Sequence, residues 1–223
     1  MGNFIELKAA DGHTFAAYLA EPAGKAKGGL IVVQEIFGVN KHMRSVTDGF
    51  ADDGYLAICP GYYDRVQRNF EAGYTPEDIK AGGAIRAELN WDQTLADTAA
   101  ALERVKSAGK IGITGYCWGG TVAWMTAAKT AGLACSIPYY GGGIPDLINE
   151  KPKVPMMCHF GELDKSPSPE KAKEVLAKYP EIQGYFYPGA GHGFNCDERG
   201  SYNPEASKLA KQRTLDFLAK HLG

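Results

Sequence analysis

The chain has 223 residues, 44% of them hydrophobic and 22% charged, which is ordinary for a folded globular protein and excludes a disordered, collagenous or coiled-coil chain. Lys and Arg total 24 against 26 Asp and Glu, so the formal net charge is −2, with no long run of one sign and no basic stripe of the kind nucleic acid selects. No apolar run nears the ~20 residues of a membrane-spanning helix, and no basic start with an apolar run marks a secretory signal, so a cytoplasmic setting with no nucleic-acid and no membrane partner is expected.

In chain order, Phe4 to Lys8 alternates polar and apolar residues, Asp11-Gly12 turns, and Thr14 to Leu19 reads as the return strand of a hairpin. The continuous apolar run Gly29-Leu30-Ile31-Val32-Val33 suits a strand buried on both faces. Further strands are expected at Leu56 to Cys59, Ile111 to Thr114, Cys135 to Tyr139, Met156 to His159 and Gly184 to Tyr187. Helices are expected near His42 to Asp53, Trp91 to Lys106, Trp118 to Lys129, Pro169 to Lys178 and Pro204 to His221. Residues 62–90, with Gly73, Pro76 and the Gly82-Gly83 pair, read as a helix among long surface loops. Alternating strands and helices predict an α/β fold over 1–223: one domain, a mainly parallel sheet, helices on both faces, an N-terminal hairpin and no large lid.

Five cysteines, Cys59, Cys117, Cys135, Cys158 and Cys196, form an odd set without a C-x-x-C pair, so thiols are expected rather than disulfides or metal ligands. One of them sits in Gly115-Tyr116-Cys117-Trp118-Gly119-Gly120, which has the form of a nucleophile elbow with Cys in place of Ser. A strand that turns sharply into a helix holds such a residue above the sheet, and small residues two before and two after it prevent a collision between strand and helix. The helix N-terminus favours a thiolate there, and the Trp118 amide is placed to hold an oxyanion.

Downstream, Met156 to Asp164 reads as a strand followed by a loop acid, and Gly189-Ala190-Gly191-His192-Gly193-Phe194 presents a glycine-flanked histidine. Cys117, Asp164 and His192 follow the chain order nucleophile, acid, histidine of a hydrolase elbow. Glu162 competes with Asp164 for the acid role, His159 reads as structural, and His13, His42 and His221 stand in surface-like contexts. After the most apolar strand, Gln34-Glu35-Ile36-Phe37-Gly38 offers a second oxyanion amide at Ile36 and a carboxylate at Glu35, either a partner for the thiol or a helix-start charge.

These strings, with Asp11-Gly12-His13-Thr14-Phe15, Tyr139-Tyr140-Gly141 and Arg213 to Leu218, resemble the dienelactone hydrolase (carboxymethylenebutenolidase) family of the α/β-hydrolase fold along essentially the whole chain. The resemblance implies a triad of Cys117, His192 and Asp164, with Glu35 controlling the thiol and no cofactor or metal required. It also implies opening of an enol-lactone ring, dienelactone to maleylacetate, through a thioester acyl-enzyme. In the family picture the resting thiol is largely neutral and becomes a thiolate when substrate moves the glutamate.

The sequence departs from the family where an arginine grips the substrate carboxylate four residues after the histidine: here that position is Cys196, with Arg199 nearby. The second anion contact falls in residues 62–90, where Lys80 and Arg86 are both candidates. Tyr139 and Trp91 are candidate aromatic walls or core residues. The other readings are a broad carboxylesterase or thioesterase with the same triad and a non-catalytic thiol sensor. A monomer acting on a small lactone or ester is expected.

Overall fold

The computed structural model describes all 223 residues. They divide into two compact units, Met1–Ile111 and Gly112–Gly223. No helix is long and apolar enough to cross a membrane.

In the first unit, β1 (Asn3–Lys8) and β2 (Thr14–Ala20) form the expected antiparallel hairpin. β2 also runs antiparallel to β4 (Leu56–Pro60), and β4 runs parallel to β3 (Gly29–Val33), so the spatial order is β1-β2-β4-β3. Every residue of β3 and β4 is buried, as their unbroken apolar sequences require. Helices α1 (Lys41–Asp52) and α3 (Trp91–Val105) pack against these strands.

The ambiguous 62–90 segment resolves into a single 3-10 turn at Tyr62–Arg65 and helix α2 (Pro76–Glu88). Thr75 caps α2 with a reciprocal capping box to Asp78, and Pro76 occupies its first turn. Gly82 brings α2 against the loop after β3: a Cβ there would lie 1.9 Å from the Ile36 carbonyl oxygen. The Tyr63 hydroxyl donates to the Gly82 carbonyl from the other side, at 3.0 Å. The same loop is pinned by Ala72 N–H donating to Phe37 O at 3.1 Å.

In the second unit the order is β5 (Ile111–Tyr116), β6 (Leu133–Tyr139), β7 (Met157–Gly161) and β8 (Gln183–Tyr187), with β6–β7 and β7–β8 parallel. The unit boundary falls one residue into β5. Helices α4 (Trp118–Lys129), α5 (Pro169–Lys178) and α6 (Pro204–Leu222) complete it. On β6 the Ser136 hydroxyl reaches Ala123 of α4, whereas the Tyr139 hydroxyl meets Thr214 of α6. Residues an odd number apart on a strand face opposite ways, so α4 and α6 cover opposite faces of this sheet. Trp124, Met156, Phe160, Val175 and Tyr179 form a core cluster, and the Trp124 indole donates to Glu150 O at 3.0 Å.

Asn40, Thr75, Asn90, Ser168 and Asn203 cap α1, α2, α3, α5 and α6 with side-chain oxygens. α4 alone lacks such a cap and begins directly after Cys117. Gly82→Ala is expected to destabilise the chain by roughly 1–3 kcal/mol through overpacking, read as a lower urea midpoint; an unchanged midpoint would show that α2 is free to move off the loop.

Candidate active site

Cys117 stands between β5 and α4 with φ 57° and ψ −119°, a left-handed backbone that a non-glycine residue adopts only when its surroundings impose it. Those surroundings are visible. A Cβ on Gly115 would lie 2.0 Å from the Gly119 carbonyl oxygen, so strand and helix approach closer than any side chain there allows. The Cys117 N–H donates to Tyr139 O at 3.1 Å, and the Cys117 carbonyl accepts from Gly120 N–H at 3.0 Å. The turn is therefore held from β6 and from its own helix.

Exposure separates Cys117 from the other four cysteines, since it alone is half-exposed and the rest are buried. Burial pushes the Cys59 and Cys135 thiols up to about 12, and Cys158 up as well, so these sulfurs stay protonated and inert.

His192 hydrogen-bonds Cys117 on one side, and its Nδ1 lies 3.0 Å from Asp164 Oδ2 on the other. Asp164 is 4% exposed, and its second oxygen accepts from Ser166 N–H at 2.8 Å. The acid and histidine loops are tied together by backbone: Glu162 N–H donates to Tyr187 O at 3.1 Å and Leu163 N–H to Ala190 O at 2.9 Å. The Tyr140 ring packs edge-on to His192 at 5.2 Å, which leaves the imidazole little freedom to rotate.

Burial works against charge on His192. The Cys117 charge, the hydrogen bonds that the ring donates to Asp164 and Cys117, and the Asp164 charge outweigh it, so the imidazole is raised from 6.5 to about 10. Cys117, His192 and Asp164 thus stand in one hydrogen-bonded line, an arrangement able to support nucleophilic attack and proton transfer.

The sequence profile of the dienelactone hydrolase family matches residues 15–222. The chain belongs to the dienelactone hydrolase family. A carboxymethylenebutenolidase of Pseudomonas putida is 33% identical over 96% of this chain and 95% of its own length. A protein of Klebsiella pneumoniae provisionally designated a dienelactone hydrolase has a solved structure that is 29% identical, with TM-score 0.84, covering 98% of this chain and 99% of that one. A dienelactone hydrolase-like promiscuous phosphotriesterase from metagenomic libraries, with TM-score 0.79 over 100% of this chain and 99% of that one, is 18% identical and shares the fold. The fold class is therefore the α/β-hydrolase fold, and the enzyme class is that of hydrolases cleaving esters or lactones.

Within this dienelactone hydrolase family member, the remaining sequence candidates fall as follows. Glu162 is exposed while Asp164 is buried and bonded to His192, so Asp164 is the acid of the hydrogen-bonded chain. In the first unit, Glu35 is 1% exposed in the loop after β3, where its carbonyl accepts from the Gln34 side chain at 3.2 Å, and Ile36 is half-buried beside it. Lys80 and Arg86 are both exposed on α2, and Trp91 is half-buried in the first turn of α3.

Three expectations are corrected. Tyr139 is 1% exposed with its hydroxyl 2.6 Å from Thr214 Oγ1, which makes it a core residue and not an aromatic wall. Cys196 is fully buried behind the histidine loop, because its amide turns in to Gly193 O; it lines no open surface for a substrate. His42 is buried in the first turn of α1 and not on the surface, since α1 turns that face inward with Met43.

Two residues gained no role from sequence. Tyr140, at φ 37°, braces the His192 ring. Arg199 lays its guanidinium against Gly193, where a Cβ would fall 2.5 Å from Nη1. The Tyr139-Tyr140-Gly141 string was the only signal for the first, and a cation three residues beyond the Cys196 position was the only one for the second.

Because the His192 value in the folded protein lies above 6.5, the stability contributed by its charged form is complete below that pH and is lost as pH rises through about 10. Removing the sulfur removes one raising influence while burial remains. NMR titration of His192 is therefore expected to show a markedly lower titration point in Cys117→Ala; an unchanged one would mean that Cys117 does not raise the ring.

Proposed function

We propose that this protein is a cysteine-dependent lactone or ester hydrolase, with dienelactone, opened to maleylacetate, as the foremost substrate. The hydrogen-bonded chain Cys117–His192–Asp164 carries the reading, and the membership of the family supports the substrate class. Cys117 attacks the lactone carbonyl, and the Trp118 amide at the start of α4 receives the developing oxyanion. The C–O bond to the ring oxygen breaks, and the departing enolate, still tethered within the thioester acyl-enzyme, takes the His192 proton and leaves the imidazole neutral. His192 then takes a proton from water, the hydroxide adds to the thioester, and the sulfur departs as the acid is released. Asp164 holds the His192 tautomer and its charge. From the resemblance, Ile36 supplies the second oxyanion amide and Glu35 controls the thiol proton.

Arg199 takes the place that Cys196 vacates as the group recognising a substrate carboxylate. What supports this is its guanidinium against Gly193, the residue after His192. A broad esterase uses the same triad without that preference. We further propose that the two units serve one catalytic domain that acts as a monomer in the cytoplasm.

Steady-state hydrolysis of cis- and trans-dienelactone beside a neutral aryl acetate tests these readings together. Cys117→Ala is expected to abolish turnover of both substrates and His192→Ala to leave only a trace; most activity retained in either overturns the triad. Arg199→Gln is expected to raise KM for dienelactone about tenfold, the loss of one charge-assisted contact of ~1.4 kcal/mol, and to spare the acetate. Equal effects on both substrates would remove Arg199 from anion recognition. Glu35→Ala is expected to shift the pH profile of Cys117 alkylation, and an unmoved profile overturns its proposed control of the thiol.

A further inference from the structure

The first unit contains a cavity of about 270 Å³ that none of the residues assigned above lines. Phe4, Gln34, Tyr63, Asp64, Phe70 and Glu71 form most of its wall. Gln34 is fully buried, and its Nε2 donates to Glu35 O at 3.2 Å. That bond fixes which way the amide faces, and Oε1, on the other side, accepts from nothing in the protein. A buried amide oxygen without a donor is a costly arrangement that native proteins seldom keep empty.

Asp64 adds charge to the same wall. Its side chain is largely buried, and its two oxygens accept only from backbone amides, Ala16 N–H at 2.8 Å and Asn69 N–H at 2.9 Å. Neither donor carries a charge, so the carboxylate stays uncompensated. Glu71 differs, because Arg44 pairs with it at 2.6 Å. The cavity thus carries one unbalanced negative charge, one orphaned acceptor and three aromatic rings. The Tyr63 hydroxyl is already committed to Gly82 O, which leaves the apolar body of its ring to the cavity.

We propose that this cavity is a binding site for a small organic ammonium cation. The ammonium N–H groups satisfy Gln34 Oε1, its charge balances Asp64, and a short apolar tail lies on Phe4, Tyr63 and Phe70. Water answers the first need only, and an anion is repelled by both polar groups. The volume exceeds that of one water, ~30 Å³, severalfold, and suits a molecule of a few heavy atoms.

The test is an amide NMR titration of the intact protein with ethylammonium chloride at constant ionic strength, with ethanol and sodium acetate as matched probes. Saturable shifts at the Gly38, Val39, Gly61 and Asn69 amides are expected with ethylammonium, with ethanol at least tenfold weaker and acetate silent. Gln34→Met and Asp64→Asn are each expected to weaken ethylammonium at least tenfold. Shifts that grow linearly without saturating, or that ethanol matches, overturn the proposal and leave a water-filled cavity. Should either variant fail to fold, the ranking of the three probes on the unsubstituted protein decides alone.

Discussion

The sharp turn at Cys117 is the constraint on which the second unit depends. A strand and a helix meet there at a distance that excludes a side chain on Gly115, and the residue between them takes a backbone of φ 57°. Such a conformation is unfavourable by itself and persists only where neighbours over-determine it. Tyr139 O and the first amides of α4 do so. The result is a sulfur that stands half-exposed at a helix N-terminus while the other four thiols are buried. The helix that carries it lacks the side-chain cap present on its five counterparts, and the Trp118 amide at its start is the one proposed to receive the oxyanion.

Beneath this turn lies a buried polar chain that explains several otherwise odd core residues. The Tyr139 hydroxyl meets Thr214 at 2.6 Å, Thr214 meets His159 Nε2 at 3.1 Å, and His159 Nδ1 meets Tyr187 at 2.7 Å. Burial, with Arg213 nearby, depresses His159 to about 3, so the ring stays neutral and acts as a fixed hydrogen-bonding strut. Arg213 lies over Tyr185 at 4.0 Å and bonds the Tyr187 hydroxyl at the outer end. The chain links α6 to β6, β7 and β8, the strands whose ends carry the Cys117 contact and the acid and histidine loops. Two histidines of one unit thus have opposite electrostatic fates. His192 faces a sulfur and a carboxylate and gains charge, while His159 faces hydroxyls in the core and loses it.

The loops of the first unit are organised by close backbone approaches. Gly82 sets α2 on the Ile36 carbonyl, and Phe37 O accepts from Ala72. The loop after β3 is held from two directions, so the buried carboxylate of Glu35 and the amide of Ile36 have little room to wander. A loop held this way suits the preorganised oxyanion contact proposed for it.

Much of this was legible in the sequence because it depends on local geometry. Period-two and apolar runs marked the strands to within a few residues, and the helices expected from Pro169 and Pro204 start there, whereas the start of α2 at Pro76 was not read from the sequence. The elbow glycines, the order of cysteine, acid and histidine, and the family strings singled out Cys117, Asp164 and His192, since a tight turn and a glycine-flanked loop impose residue types at fixed spacing. Tertiary packing alone decided the rest. It chose Asp164 over Glu162 by burying one and exposing the other. It drew Tyr139 and Cys196 into the core, where an aromatic ring and a small thiol fit as well as they would beside a substrate. It also brought Tyr140 and Arg199 to the histidine loop. Burial and long-range hydrogen bonds arise between residues far apart in the chain, and no spacing within a single sequence encodes them.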